Sequence, residues 1–212
     1  LDSGILRRVF YFEGYMALME TLNLFWEKVG INQAMFAEAG LELVPVNYFN
    51  SGFTQASLFD CVKESRAFLK YYEPTPNDFA IGHSAGGLIV RYFEEVLGVK
   101  FAKTILVECP NGGTNRLIEQ VTGLNRDWPY VKDMRRGSKF MKLLPPENAI
   151  GKGYIEFKGK ASRGKPARLM SALGYGFTEI PGATQMVFPD IGHVELVIEA
   201  EPVKSAIALL KA

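Results

Sequence analysis

Phe79-Ala80-Ile81-Gly82-His83-Ser84-Ala85-Gly86-Gly87-Leu88-Ile89-Val90-Arg91-Tyr92-Phe93 decides how this chain folds. An apolar run enters Gly-His-Ser-Ala-Gly-Gly and leaves with helical periodicity, so a buried strand turns directly into a helix. A turn that sharp puts Ser84 in a strained backbone, and only small residues at 82 and 86 clear the adjoining strand and helix. It lifts the Ser84 hydroxyl to the end of a sheet, at a helix N-terminus whose amides favour developing negative charge. A phosphate loop is the competing reading of such a turn. It requires Gly, four residues and Gly-Lys-Ser/Thr, which neither this turn nor Gly159-Lys160-Ala161 supplies.

Outward from this turn, short apolar runs alternate with longer helical patterns, the rhythm of a parallel sheet with crossover helices. Strands are predicted at Arg8–Phe12, Leu41–Val46, Asp78–Ile81, Lys103–Val107, Gly153–Lys158 and Thr184–Phe188. Each is bounded by turn-forming residues, as for strands buried on both faces. Helices are predicted at Gln33–Ala39, Gln55–Tyr72, Ala85–Leu97, Pro166–Leu173 and Pro202–Leu210. The fold class is therefore α/β, a doubly wound and mostly parallel sheet of about six strands, with ligands at the carboxyl ends of the strands. Cys109 to Lys152 breaks the rhythm with Gly-Gly, Trp-Pro and Pro-Pro. A stretch of this length with only short helical pieces is expected to be a lid or cap, inserted at about 109–152 into a single domain spanning 1–212.

Composition narrows the partners. The 212 residues are 48% apolar and carry 24 basic against 23 acidic side chains, a net charge of +1. That length suits one domain with a substantial core. The balance excludes a basic stripe for nucleic acid, a polybasic membrane anchor and a disordered chain. Apolar runs stop well short of 18 residues, so no transmembrane segment is expected. Two cysteines, Cys61 and Cys109, make neither a disulfide framework nor a zinc site, and they read as buried thiols. They fit the cytoplasm, and a secreted protein whose signal peptide has been removed fits as well.

A serine hydroxyl needs a base, and histidine serves near neutral pH. The chain has two histidines. His83 adjoins Ser84, where the turn directs the two side chains apart. His193 remains, in a Gly-containing loop after the last strand and at the same sheet edge.

Gly82–Gly87 with Leu88–Tyr92 resembles the nucleophile elbow of α/β-hydrolase lipases and esterases. Pro110-Asn111-Gly112-Gly113-Thr114 and Asp133-Met134-Arg135-Arg136-Gly137-Ser138-Lys139-Phe140 are similar to stretches these lipases carry further on. Phe188-Pro189-Asp190-Ile191-Gly192-His193 looks like the catalytic-histidine loop of the wider superfamily. The resemblance runs from about Arg8 to the end and implies a shortened sheet without the first strands. Arg8–Phe12 is then expected to be an edge on which a homodimer pairs.

The resemblance implies a triad acid after Gly153–Lys158 in a Gly-x-x-Asp pattern, which here reads Gly159-Lys160-Ala161-Ser162. Ser162 cannot carry the charge that stabilises an imidazolium. A minority of the superfamily takes its acid from the preceding strand, which makes Glu108 the preferred residue. Asp190, Glu195 and a two-residue Ser–His arrangement stay open. For the oxyanion, the resemblance points to the amides of Ala85 and of Tyr15, the latter after Glu13-Gly14, with Met16 second. Met16 and His83 are expected to contact substrate. Leu18, Met19, Leu22, Leu24, Phe25 and Trp26, with Leu124, Trp128, Tyr130, Met134, Phe140, Met141 and Leu143 of the insertion, favour an apolar acyl group. The expected activity is cleavage of carboxylic, including lipid, esters through an acyl-enzyme, with no metal or organic cofactor. An acyltransferase or thioesterase on the same fold, and a catalytically degraded binding protein, are the rival readings.

Overall fold

A computed structural model describes residues 7–14, 32–46, 48, 56–116, 119, 126–160, 180–193 and 195–212. The predicted helix Pro166–Leu173, and Tyr15, Met16 and Ser162 with the apolar run Leu18–Trp26 and Leu124, lie outside these residues.

Among the described residues six parallel strands form one sheet: β1 (Arg7–Phe12), β2 (Leu41–Pro45), β3 (Phe79–His83), β4 (Lys103–Val107), β5 (Ile155–Lys160) and β6 (Thr184–Pro189). Their order is β2-β1-β3-β4-β5-β6. Alternate residues serve opposite faces, and along β1 both sets are buried. Phe10 and Phe12 join one core with Val44, Leu88, Ile89 and Phe93, while Val9 and Tyr11 join the other with Phe79, Ile81, Val107 and Phe157. Helices α2 (Leu58–Tyr72) and α3 (Ala85–Arg91) contribute to the first core. Helix α1 (residues 32–38) supplies Phe36 to the second, together with α5 (Glu195–Ile198) and α6 (Ala200–Lys211). Truncating a fully buried aromatic such as Phe12 would cost about 3–5 kcal/mol in such cores.

The predicted boundaries shift where pairing continues. Asp78 lies below β3, where it accepts hydrogen bonds from Arg8 Nε and Nη2 at 3.1 and 2.7 Å and pins the foot of β1 to that of β3. Strand β3 extends to His83 because pairing with β4 runs on to His83↔Val107. Strand β5 runs through Gly159 because β6 matches it as far as Lys160↔Pro189. Helix α2 starts at Leu58, where Ser57 and Asp60 form a reciprocal capping box: the Asp60 amide donates to Ser57 Oγ at 3.1 Å and the Ser57 amide to Asp60 Oδ2 at 2.9 Å. The predicted helix Ala85–Leu97 is α-helical to Arg91 and then widens into a π turn over Tyr92–Val96.

One expectation is revised. Arg8–Phe12 is not an edge, because β2 pairs with β1 on one side and β3 on the other, so the edge expected to seat a homodimer is closed. Among the described residues the edges are β2 and β6. Within 109–152, the stretch expected to form a lid or cap, part of the described chain packs into the core. Helix α4 (Pro129–Met134) buries Tyr130, Val131 and Met134, and Phe140, Met141 and Leu144 follow them. Asp133 Oδ2 accepts the Leu58 amide at the start of α2 at 2.9 Å. Cys61 and Cys109 are buried free thiols.

Candidate active site

Ser84 sits between β3 and α3 with φ 52° and ψ −128°, the strained backbone its sequence context predicts. The surrounding structure holds it there. Its amide donates to the Val107 carbonyl at 2.8 Å, and the Gly87 amide donates to its carbonyl at 3.1 Å. A side chain at 86 would strike the Phe12 and Glu13 carbonyls, and one at 14 would lie 2.5 Å from Ser84 Cβ. Gly86 and Gly14 therefore let the ends of β1 and β3 close to backbone contact around Ser84. The Ala85 amide opens α3 and has no carbonyl four residues earlier in the helix to receive it.

Glu108 directly follows β4 beside this turn, with its own left-handed backbone at φ 41°. Both carboxylate oxygens are engaged. Oε1 accepts the Gly159 amide at 2.8 Å, and Oε2 lies 2.7 Å from His193 Nδ1. Glu108 and His193 are each 8% exposed, so the pair is shielded from bulk water. The distance is that of a charge-assisted bond, in which a neutral imidazole carries its hydrogen on Nδ1 and leaves Nε2 as the acceptor. Glu108 and His193 are 85 residues apart in sequence and come together because β4 and the loop after β6 meet over Gly159.

The other sequence-predicted groups are placed differently. Asp190 is exposed, with φ 59°, and its amide donates to the Lys160 carbonyl at 2.8 Å. Its place is the turn out of β6. Glu195 begins α5, beyond the histidine. His83, expected among substrate contacts, is 2% exposed. Its Nδ1 lies 2.9 Å from Glu13 Oε1 and its Nε2 lies 3.0 Å from the His193 carbonyl. The two imidazoles pack at 4.6 Å between centroids. Sequence reasoning missed Glu13, which also accepts Tyr11 Oη at 2.6 Å and the Gly14 amide at 3.0 Å. The local cue was an acidic residue directly before the glycine of the predicted oxyanion loop. Among the described residues no cluster of His, Cys, Asp and Glu is placed to hold a metal, and no helix is long and apolar enough to cross a membrane.

No protein-family model and no curated protein sequence matches the chain. Solved structures do. The chain is similar to the lipase BlEst2 of Bacillus licheniformis in its mature form, with TM-score 0.69, 14% identity, and coverage of 99% of this chain and 93% of that one. A carboxylesterase structure of the thaumarchaeon Nitrososphaera gargenis gives TM-score 0.64 and 13% identity over 99% and 92%. The thioesterase domain of the curacin biosynthetic pathway gives 0.60 and 15% over 100% and 93%. With its parallel sheet, its serine at the β3–α3 turn and these likenesses, the chain is built on the α/β-hydrolase fold.

Proposed function

We propose that this chain is a serine hydrolase that cleaves carboxylic esters, lipid esters among them, through an acyl-enzyme on Ser84. The observation that carries this reading is the 2.7 Å contact between Glu108 and His193 Nδ1, beside a serine held at φ 52° on a strand-to-helix turn.

In the proposed sequence, His193 Nε2 takes the Ser84 proton as Oγ attacks the ester carbonyl. The carbonyl electron pair moves onto oxygen, facing the Ala85 amide and, by the resemblance, that of Tyr15. Glu108 stabilises the imidazolium without taking its proton. Collapse expels the alkoxide, which receives that proton from His193. Water then repeats the sequence on the acyl-enzyme, releasing the carboxylic acid and restoring Ser84. Preorganised amides account for much of the acceleration, since loss of one such donor costs about 100- to 1,000-fold.

A thioester is cleaved by the same steps with a thiolate leaving group, and the likeness to a thioesterase domain favours that second reading. An acyltransferase would hand the acyl group to an alcohol instead of water.

The test is hydrolysis of p-nitrophenyl esters from short to long acyl chains, an acyl thioester in parallel, and labelling with a phosphonate. Wild-type protein should turn over one of these substrates and be phosphonylated on Ser84, while Ser84→Ala falls to background. Turnover unchanged in Ser84→Ala would overturn the scheme. A serine inert to phosphonate, with no turnover of any ester, would point to a binding protein.

A further inference from the structure

We propose that His83 is a positioning residue: paired with Glu13, it clamps the backbone of His193 and the loop after β1 around Ser84. The inference rests on the serine-hydrolase reading and adds a part to it. Strands β1 and β3 pair through Phe12↔Gly82, so Glu13 and His83 are neighbours at the sheet's carboxyl edge.

The protons on the pair follow from its partners. His83 Nε2 faces the His193 carbonyl at 3.0 Å, and a carbonyl oxygen only accepts, so Nε2 carries hydrogen. Nδ1 faces Glu13 Oε1 at 2.9 Å, and that contact also needs a proton between the two atoms. Losing either would set two lone pairs against each other in a site shielded from water. The remaining lone pairs of Glu13 take the Gly14 amide at 3.0 Å and Tyr11 Oη at 2.6 Å.

Among the described residues the titratable groups facing the pair are Tyr11 from β1, Tyr48 beyond β2 and His193, behind which stands Glu108. Burial first, then the Glu13 charge, pushes the Tyr11 phenol well above its usual range, so Tyr11 stays a donor. Burial, then the charges of Tyr130 and Glu13, pushes the Tyr48 phenol up likewise.

One imidazole therefore joins three parts of the machinery. Its backbone leads into the nucleophile. Its Nε2–H fixes the peptide of the base, whose ring Glu108 orients independently at Nδ1. Through Glu13, its Nδ1 sets the Gly14 backbone that lies against Ser84. Misplacing these groups by about 1 Å is enough to cost around 100-fold in rate.

The experiment compares His83→Leu, His83→Gln and Glu13→Gln with wild type, rates being expressed per serine titrated with phosphonate. Glutamine at 83 keeps an N–H that reaches the His193 carbonyl, and leucine keeps none. Expected is a fall in kcat of about 10- to 100-fold for His83→Leu and Glu13→Gln, with KM within about threefold, and substantial recovery in His83→Gln. A purely structural role would lower the melting temperature and leave kcat per titrated serine unchanged, which would overturn the proposal.

A second readout needs no turnover, because the chain has only two imidazoles. Nitrogen-15 NMR of the wild-type protein should show His83 protonated on Nε2 and a low-field Nδ1 proton on His193. In His83→Gln the low-field proton should persist, and in His83→Leu it should broaden. A His83 ring bare at Nε2 would refute the clamp even if no substrate were found. Absence of serine-dependent turnover with the expected spectrum would instead refute the esterase reading alone.

Discussion

Glu108→Gln tests the candidate site most sharply, because the hydrogen bonds around that carboxylate dictate what an amide can do there. Oε1 receives the Gly159 amide at 2.8 Å and Oε2 the His193 Nδ1 proton at 2.7 Å. Glutamine has one oxygen for these two donors. If the oxygen stays on Gly159, the NH2 group faces His193, whose Nδ1 must then accept. The ring proton moves to Nε2, and the base is gone. If the oxygen turns to His193, the NH2 group opposes the Gly159 N–H, leaving buried donors unmatched at about 1–3 kcal/mol. The productive arrangement is thus disfavoured roughly 5- to 150-fold, at 1.4 kcal/mol per tenfold. Loss of the carboxylate charge beside the imidazolium adds to this, and the matching substitution in serine proteases costs about 10,000-fold in kcat. The expected result is a kcat lowered by about 100- to 10,000-fold with little change in fold. Initial rates on the best ester, with circular dichroism as the folding control, measure it. Activity within about threefold of wild type would refute Glu108 as the group that orients His193, since either amide rotamer costs more than that.

Asp190→Asn should leave the rate within about twofold, because asparagine tolerates the left-handed turn and the carboxylate is exposed; a large loss in the same assay would return the acid's role to Asp190. Gly86→Ala drives a methyl into the Phe12 and Glu13 carbonyls and should cost about 3 kcal/mol or more, read as a melting temperature lower by about 6–12 °C. Burial pushes the Glu94 carboxyl from 4.5 up to about 7, against the Thr104 hydroxyl bond that lowers it. The folded state then binds more protons than the unfolded one between these values, so this group's contribution is fully present below 4.5 and lost as pH rises through 7. Glu94→Gln should flatten the fall in stability over that window, by up to about 3 kcal/mol in denaturant titrations at a series of pH values.

Much of the fold was legible because its signals are local. The strand, glycine turn and helix around Ser84 announce themselves within fifteen residues, and all six strands are compact apolar runs. His193 followed from elimination in a chain with two histidines. Glu108 was visible as a strand-end carboxylate, while its geometry depends on the Gly159 amide arriving from the next strand. The order of strands was harder to read. Nothing in Leu41–Pro45 says on which side of β1 it pairs, and Arg8–Phe12 therefore read as an edge. The Glu13–His83 contact was out of reach for the same reason, since it joins residues 70 apart through the register of two strands. The burial of Tyr130, Met134 and Phe140 within 109–152 was not legible either, because short helices between Gly-Gly and Pro-Pro carry too little periodicity to show a buried face.

The backbone angles at the sheet's carboxyl edge carry a consequence for anyone seeking a hardier form of this protein. Ser84, Glu108 and Asp190, which end or follow β3, β4 and β6, all sit at positive φ without being glycine. Such conformations cost on the order of 1–3 kcal/mol each, a sizeable share of the roughly 5–15 kcal/mol by which a domain of this kind stays folded. Glycine would relieve that cost at Ser84 and Asp190, whereas at Glu108 it would also strip the Gly159 amide and His193 Nδ1 of their acceptor. A screen for heat resistance alone would therefore be drawn to Ser84 and Asp190 and, at Ser84, would exchange the proposed chemistry for durability. Asp190 is the position where the two aims part company, and Asp190→Gly is where stabilisation could begin.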